Sequence, residues 1–289
     1  MTMVSNNELH VPEPQVSCLP PPRAMVVRFA LSGIGLPAVE TTLPLADQFR
    51  RAVMGLYRRR QESRVRENGV GSSGVLPSSP LLSGKDADGN PLIGHRHAFY
   101  LPTDEDRDGR IEHLTAFCEA GFGERELDAL RHLRRLQLAG AEKPLQPVLI
   151  GCGTLSEVWV PLAGESATWV SATPFVASRH LKRRGRRRER LELLKPGSLL
   201  EFVIEVLYEE IDRLRAQRPE VPRPTDISPL LSDDGMYCIP AGKVPARRFA
   251  RYRPRHGESD TRRPFGAFRV AFPEPVRGPL CLGRSSHFG

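Results

Sequence analysis

Residues 83–117 read SGKDADGNPLIGHRHAFYLPTDEDRDGRIEHLTAF, and the reading of this stretch decides the fold. HAFYL (97–101) and IEHLTAFC (111–118) are short runs of apolar, aromatic and β-branched residues bounded by Gly and Pro, which predicts two strands. The polar, Gly-containing PTDEDRDGR between them (102–110) predicts the loop of a hairpin. The stretch also gathers Lys85, His95, His97 and His113. Ionisable groups held together on a rigid hairpin have the look of a site.

Working outward, AMVVRFAL (25–32) reads as a buried strand. Leu45, Phe49, Ala52, Val53 and Leu56 recur at helical spacing, which predicts an amphipathic helix over 43–60. Residues 61–94 are rich in Gly, Ser and Pro and read as a long loop. A second helix is expected at 124–138, with Leu127, Leu130 and Leu133 on one side, and a strand at PVLIGCG (147–153). The order strand, helix, strand, strand, helix, strand is the split βαβ, ferredoxin-like pattern.

A poorer copy follows. TPFVASRH (173–180) reads as a strand, and Ser198 with Glu201 forms a capping box. That box opens a helix with Leu199, Phe202, Val203, Val206, Leu207 and Leu214 on its apolar side. Apolar fragments recur at 247–252 and 266–272 among many prolines, and the end, GPLCLGRSSHFG, reads as a glycine-rich loop. The expected fold class is α+β, with two tandem ferredoxin-like (RRM-like) domains, the second less regular. The expected divisions are a proline-rich linker or arm at 1–24, a first domain at 25–155 and a second at 165–289.

Composition narrows the partners. With 289 residues the chain has room for two domains of ordinary size. Lys and Arg number 42 against 34 Asp and Glu, which favours polyanions, nucleic acid before membrane. Lys182, Arg183, Arg184, Arg186, Arg187, Arg188 and Arg190 crowd one short run. Arg forks pair with phosphates, and so much like charge repels itself without a partner. The five cysteines are scattered and form no C-x-x-C pair, so neither a zinc knuckle nor a disulfide framework is expected, and a reducing, cytoplasmic setting fits. No apolar run of the length needed to span a membrane occurs, and the proline-rich start carries no signal-peptide h-region.

Two chemistries compete at the hairpin. Asp104, Asp106, Asp108 and Gly109 match the first half of a D-x-D-x-D-G calcium loop, but Thr115 stands where the bidentate Glu belongs. A charged hairpin tip is therefore expected, with no metal; a calcium-regulated protein would instead gain stability on adding calcium. His95 and His97, two apart, leave one face of a strand, together with Phe99 and Leu101, and parity alone leaves open whether helices cover that face. His113 on the partner strand is a candidate to lie opposite or diagonal to them. Imidazoles near a lysine suit general acid–base chemistry at neutral pH, and hydrogen-bonded sheet histidines are the plainer alternative.

The stretches SGKDADGNPLIGHRHAFYLP, DEDRDGRIEHLTAF and GPLCLGRSSHFG resemble the CRISPR repeat-processing endoribonucleases of the RAMP superfamily. The likeness is to the C-terminal half of the fused backbone-and-processing subunit of subtype I-U (I-G) systems, from about residue 25 onward. Relatives of that kind run from the glycine-rich loop into a final strand, whereas this sequence ends at Gly289. Their backbone half has no counterpart here, and the proline-rich start resembles the segment that would join it.

The resemblance implies cleavage of CRISPR repeat RNA without metal or other cofactor, in the cytoplasm. A 2′-hydroxyl attacks the adjacent phosphate and leaves a cyclic phosphate. It implies His95 as general base or acid, with His97 the second choice, Lys85 as electrostatic stabiliser and His113 as a weaker candidate. The arginines of 182–190 would grip the repeat, and Gly278, Gly283, Arg284, Ser285 and Gly289 would lie along it. Other subunits of a type I effector complex are implied partners. The alternative reading is a non-catalytic crRNA-binding subunit of such a complex.

Overall fold

The fold grows from one alternating strand. In β1 (Val26–Ser32), Val27, Phe29 and Leu31 point to one side of the sheet, and Val26, Arg28 and Ala30 to the other. The computed structural model describes residues 23–33, 35–67, 78–86, 88–90, 92, 97–138, 140–177, 199–230, 236–239, 242–245, 248–249 and 265–282. Within these residues the chain is mixed α+β, with antiparallel sheets and a few helices.

The first half runs β1, α1 (Thr42–Glu67), α2 (Pro80–Ser83), β2 (Phe99–Thr103), β3 (His113–Phe117), α3 (Glu124–Arg131) and β4 (Gln146–Gly153). The sheet order is β2-β3-β1-β4, and every neighbouring pair is antiparallel. Leu45, Phe49, Val53 and Tyr57 recur every fourth residue of α1 and lock onto Val27, Phe29, Tyr100 and Leu114 of the sheet, with Leu127 and Leu130 from α3. Edge-to-face ring contacts bind the layers, Phe29 to Phe49 at 5.8 Å and Phe49 to Tyr100 at 5.1 Å. Each such buried side chain contributes on the order of 1.5–3 kcal/mol over leaving it exposed.

Helix bounds differ from expectation for local reasons. α1 continues to Glu67, so only part of 61–94 is loop. Its last turns are tied by Arg58 to Glu62 at 3.1 Å and by Arg60 and Arg64 to Asp128 of α3. α2 begins where Ser79 Oγ accepts from the Leu82 N–H, with Pro80 at its first position, and ends at Gly84, whose φ of 71° suits glycine. α3 stops at Arg131 rather than 138, because Leu136 leaves the helix to exchange backbone hydrogen bonds with Leu145 at 2.9 Å.

The second half places β5 (Glu165–Val170), β6 (Phe175–Val176), α4 (Leu199–Gln217), β7 (Asp226–Pro229), β8 (Met236–Ile239), β9 (Gly242–Pro245), β10 (Phe265–Gly266) and β11 (Phe268–Arg277) in sequence. Their sheets are β5-β11-β7, β10-β6 and β8-β9, all antiparallel. The periodic side of α4 (Phe202, Val203, Val206, Leu207 and Ile211) packs on Phe268, Val270, Phe272 and Val276. The 173–180 strand is reduced to β6 within the described residues, and of the 247–252 fragment only Arg248 and Phe249 are described.

The side of the first sheet away from α1 and α3 is not bare. Val26, Phe99 and Phe117 form a second core with Val158 and Val160, against which Leu155, Leu162 and Cys281 pack. Phe99 and Phe117 stack at 6.5 Å and are each 6% exposed. Beside this core, Arg218 donates to the Arg277 carbonyl at 2.7 Å and stands 2.9 Å from Glu220 and 3.5 Å from Glu119.

Candidate functional site

The site is built from the bottom of that covered face upward. Arg28 sits in the central strand at 4% exposure, and a buried guanidinium requires acceptors. Glu105, just past β2, meets it with both carboxylate oxygens, at 2.7 and 2.5 Å from Nη2, while Nη1 donates to Thr115 Oγ1 at 3.3 Å. The guanidinium carbon lies 5.5 Å from the ring centre of Trp159, a cation–π distance. Trp159 is 71% exposed, yet its neighbours Val158 and Val160 are both buried in the second core.

The hairpin tip organises the carboxylates. Thr103 Oγ1 donates to Glu105 at 2.7 Å, and the Glu105 N–H donates to Glu112. His113 opens β3 with Nδ1 at 3.3 Å from Glu112 Oε1 and 3.5 Å from Glu105 Oε2. In the tautomer that donates from Nδ1 to these carboxylates, the lone pair is on Nε2. The His113 side chain is 23% exposed, so solvent reaches it.

The register separates the candidate histidines. His113 pairs with Thr103 and Phe117 pairs with Phe99, so His113 lies opposite neither His97 nor its neighbours. His97 is six positions from Thr103, at most about 20 Å along the hairpin at roughly 3.4 Å per residue. His97 precedes β2 and shares the Phe99 face, the one away from α1 and α3; its ring stands 4.9 Å from that of Phe99. It is 5% exposed, with Nδ1 3.2 Å from the Ala98 carbonyl. Lys85 is half-buried on the turn after α2, where Ser83 Oγ accepts from its N–H at 3.1 Å. That turn is held on the helix side, through Leu82 in the main core and an Arg50 contact to the Ser83 carbonyl at 3.4 Å.

Among the described residues, two groups have the spacing to hold a cation: Asp104, Asp106 and Asp108, and Glu105, Glu112 and His113, each with its ligand atoms within 4.8 Å of one another. In the first group each aspartate already accepts a backbone N–H, Asp104 from Gly109, Asp106 from Asp108 and Asp108 from Arg110. These bonds are what shape the tip. Burial raises the Asp104 carboxyl above its usual range. Thr115, at the twelfth loop position, is buried on β3 beneath Arg28 and adds no carboxylate. In the second group, Arg28 already neutralises Glu105.

Gly278 is buried, and a Cβ there would run into the Leu162 carbonyl, so close packing accounts for this glycine. His95, Lys182, Arg183, Arg184, Arg186, Arg187, Arg188, Arg190, Gly283, Arg284, Ser285 and Gly289 lie outside the described residues. Sequence reading missed Arg28, Glu105, Glu112 and Trp159. One signal was present: an arginine inside the apolar run AMVVRFAL demands a buried acceptor, and Glu105 is in the nearby acidic turn. Compared with known proteins, the chain matches no family model, no curated protein and no solved structure.

Proposed function

We propose that the chain is an RNA-cleaving protein of the ferredoxin-like RAMP type, acting on CRISPR repeat RNA through 2′-hydroxyl attack. The observation that carries the reading is the solvent-reached imidazole of His113, oriented by Glu112 and Glu105 at one end of the first sheet. An imidazole whose Nδ1 is held by carboxylates presents Nε2 as a base, the pairing that activates hydroxyl nucleophiles elsewhere. The strand order β2-β3-β1-β4, with helices between β1 and β2 and between β3 and β4, supports the ferredoxin-like assignment of the first half. The second half, with its sheets of two and three strands, lends that assignment less support.

In this reading His113 takes the 2′-hydroxyl proton, and the transition-state charge on phosphorus oxygens is met by arginine or lysine. The test is incubation with a labelled repeat hairpin in EDTA, followed by analysis of the 3′ ends. Cutting that leaves a cyclic phosphate, blocked by a 2′-deoxy scissile nucleotide and reduced about 100-fold or more by His113→Ala, is expected. Cutting unchanged by His113→Ala removes His113 from the chemistry, and cutting of the 2′-deoxy substrate removes the nucleophile.

The burial of His97 favours a second reading, a non-catalytic crRNA-binding subunit in which the histidines hold the sheet. That reading expects RNA to be bound and left intact in the same assay.

A further inference from the structure

We propose that the first half of the chain docks RNA phosphates on its helical side, through the outer face of α1 and the segment that follows α3, rather than on its sheet. This rests on the RNA-binding reading above and goes beyond it by placing the docking surface. The sheet face that carries Phe99 and Phe117 is closed: both rings are packed under Val158 and Val160, so neither is available to stack on a base.

The opposite side carries the charge. Residues 58–67 and 124–135 hold nine arginines against five carboxylates, a net of +4 within a chain of formal charge +8. At their centre Asp128 is saturated. Arg60 donates to it at 2.9 and 3.0 Å, Arg64 at 3.1 Å, and His132 Nδ1 stands 3.3 Å away. The hydrogen bonds from Arg60 hold the Asp128 carboxyl below its usual range, so it stays anionic and serves as the knot that ties both helices.

Outside the knot, Arg59, Arg66 and Arg135 are exposed and have no ion-pair partner among the described residues; Arg59 and Arg66 sit about 100° or more round α1 from Arg60 and Arg64, and Arg135 follows the end of α3. Arg59 and Arg66 are seven residues apart, about 10.5 Å along one side of the helix. Exposed guanidinium groups without carboxylate partners fit the outside of a nucleic-acid backbone, whose contacts fix position without reading bases.

The experiment measures RNA-hairpin binding by fluorescence anisotropy over a series of KCl concentrations. The combined variant Arg59→Gln, Arg66→Gln, Arg135→Gln is expected to bind at least tenfold more weakly. Its slope of log K against log salt should be shallower by about 2 to 3, near 0.9 for each phosphate that is no longer neutralised. Asp128→Asn should bind several-fold more tightly, a direction that damage to the fold would not produce. Arg269→Gln with Arg277→Gln, exposed on β11, should match the unaltered protein. An unaltered protein that binds RNA while the triple variant keeps its affinity and slope overturns this proposal and leaves the proposed function standing. Failure of the unaltered protein to bind RNA at low salt overturns both. A loss confined to anionic phospholipid vesicles, with RNA binding intact, overturns it in favour of a membrane surface.

Discussion

Removing Arg28 tests the centre of the site. Its guanidinium is almost wholly buried, and so is most of the Glu105 carboxylate that it grips at 2.7 and 2.5 Å. Arg28→Met leaves that carboxylate in place with Thr103 Oγ1 at 2.7 Å and no guanidinium. Breaking one side of a buried pair costs about 3–5 kcal/mol, whereas exchanging both partners for apolar residues is close to neutral. The single variant should therefore lose about 3–5 kcal/mol, and Arg28→Met with Glu105→Met should recover most of it. For a chain of this size such a loss lowers the melting temperature by roughly 10 °C. Urea denaturation at neutral pH, followed by tryptophan emission, measures both variants; Trp159 lies against Arg28 and reports the site directly. A single-variant loss below about 1 kcal/mol, the range of an exposed pair, would refute the reasoning. So would a double variant as unstable as the sum of its singles.

Gly278→Ala forces a methyl group against the Leu162 carbonyl and should cost about 1–3 kcal/mol or more, read as a lower melting temperature. Phe99→Ala should cost about 3–5 kcal/mol in the same melt, because the ring is buried under Val158 and Val160; an exposed stacking residue would lose less than about 0.5 kcal/mol. Asp104 tests the hairpin tip through pH. Its folded carboxyl is raised by burial, so it favours the folded state below the unfolded pKa and loses that contribution as pH rises through the folded value. Asp104→Asn should accordingly be more stable to urea than the unaltered protein at pH 7, by less than about 1 kcal/mol of unfolding free energy, and the gain should fade near pH 3. A gain equal at both pH values would remove burial of the charge as its cause.

What was legible followed from periodicity. Val27, Phe29 and Leu31 alternate, Leu45, Phe49 and Val53 step by fours, and a polar turn joins two strands, so β1, α1 and the β2–β3 hairpin were within reach of pattern alone, although Pro102 and Thr103, expected in the loop, pair with Leu114 and His113 as the end of β2. The end of α1 was not. Its last turns lack an apolar stripe and are held by Arg60 and Arg64 on Asp128, a residue more than sixty positions away. The same holds for Arg28: the charge in a buried strand was visible, but Glu105 became its partner only through the pairing of β2, β3 and β1. β6 and β10 are two residues each, too short for any period to register.

Parity placed His97 and Phe99 on one face of the sheet but could not say what lies on top of it. The answer came from residues 155–162, far along the chain, where two buried valines flank an exposed tryptophan. Once those valines are in place, the face becomes a core. Its aromatic rings then stabilise the join between the two halves, while the far end, at Thr103 and His113, keeps access to solvent. Burial thus moves the ionisable chemistry to that end and leaves the unpaired arginines of α1 and the end of α3 on the other side of the sheet. An RNA long enough to touch both must pass around an edge of the sheet rather than across its face, and the outer edges belong to β2 and β4. The β2 edge carries the acidic tip, with Asp104, Asp106 and Asp108 together, which repels phosphate. β4 carries no charged side chain at all. If the two surfaces serve one RNA, its path is past β4.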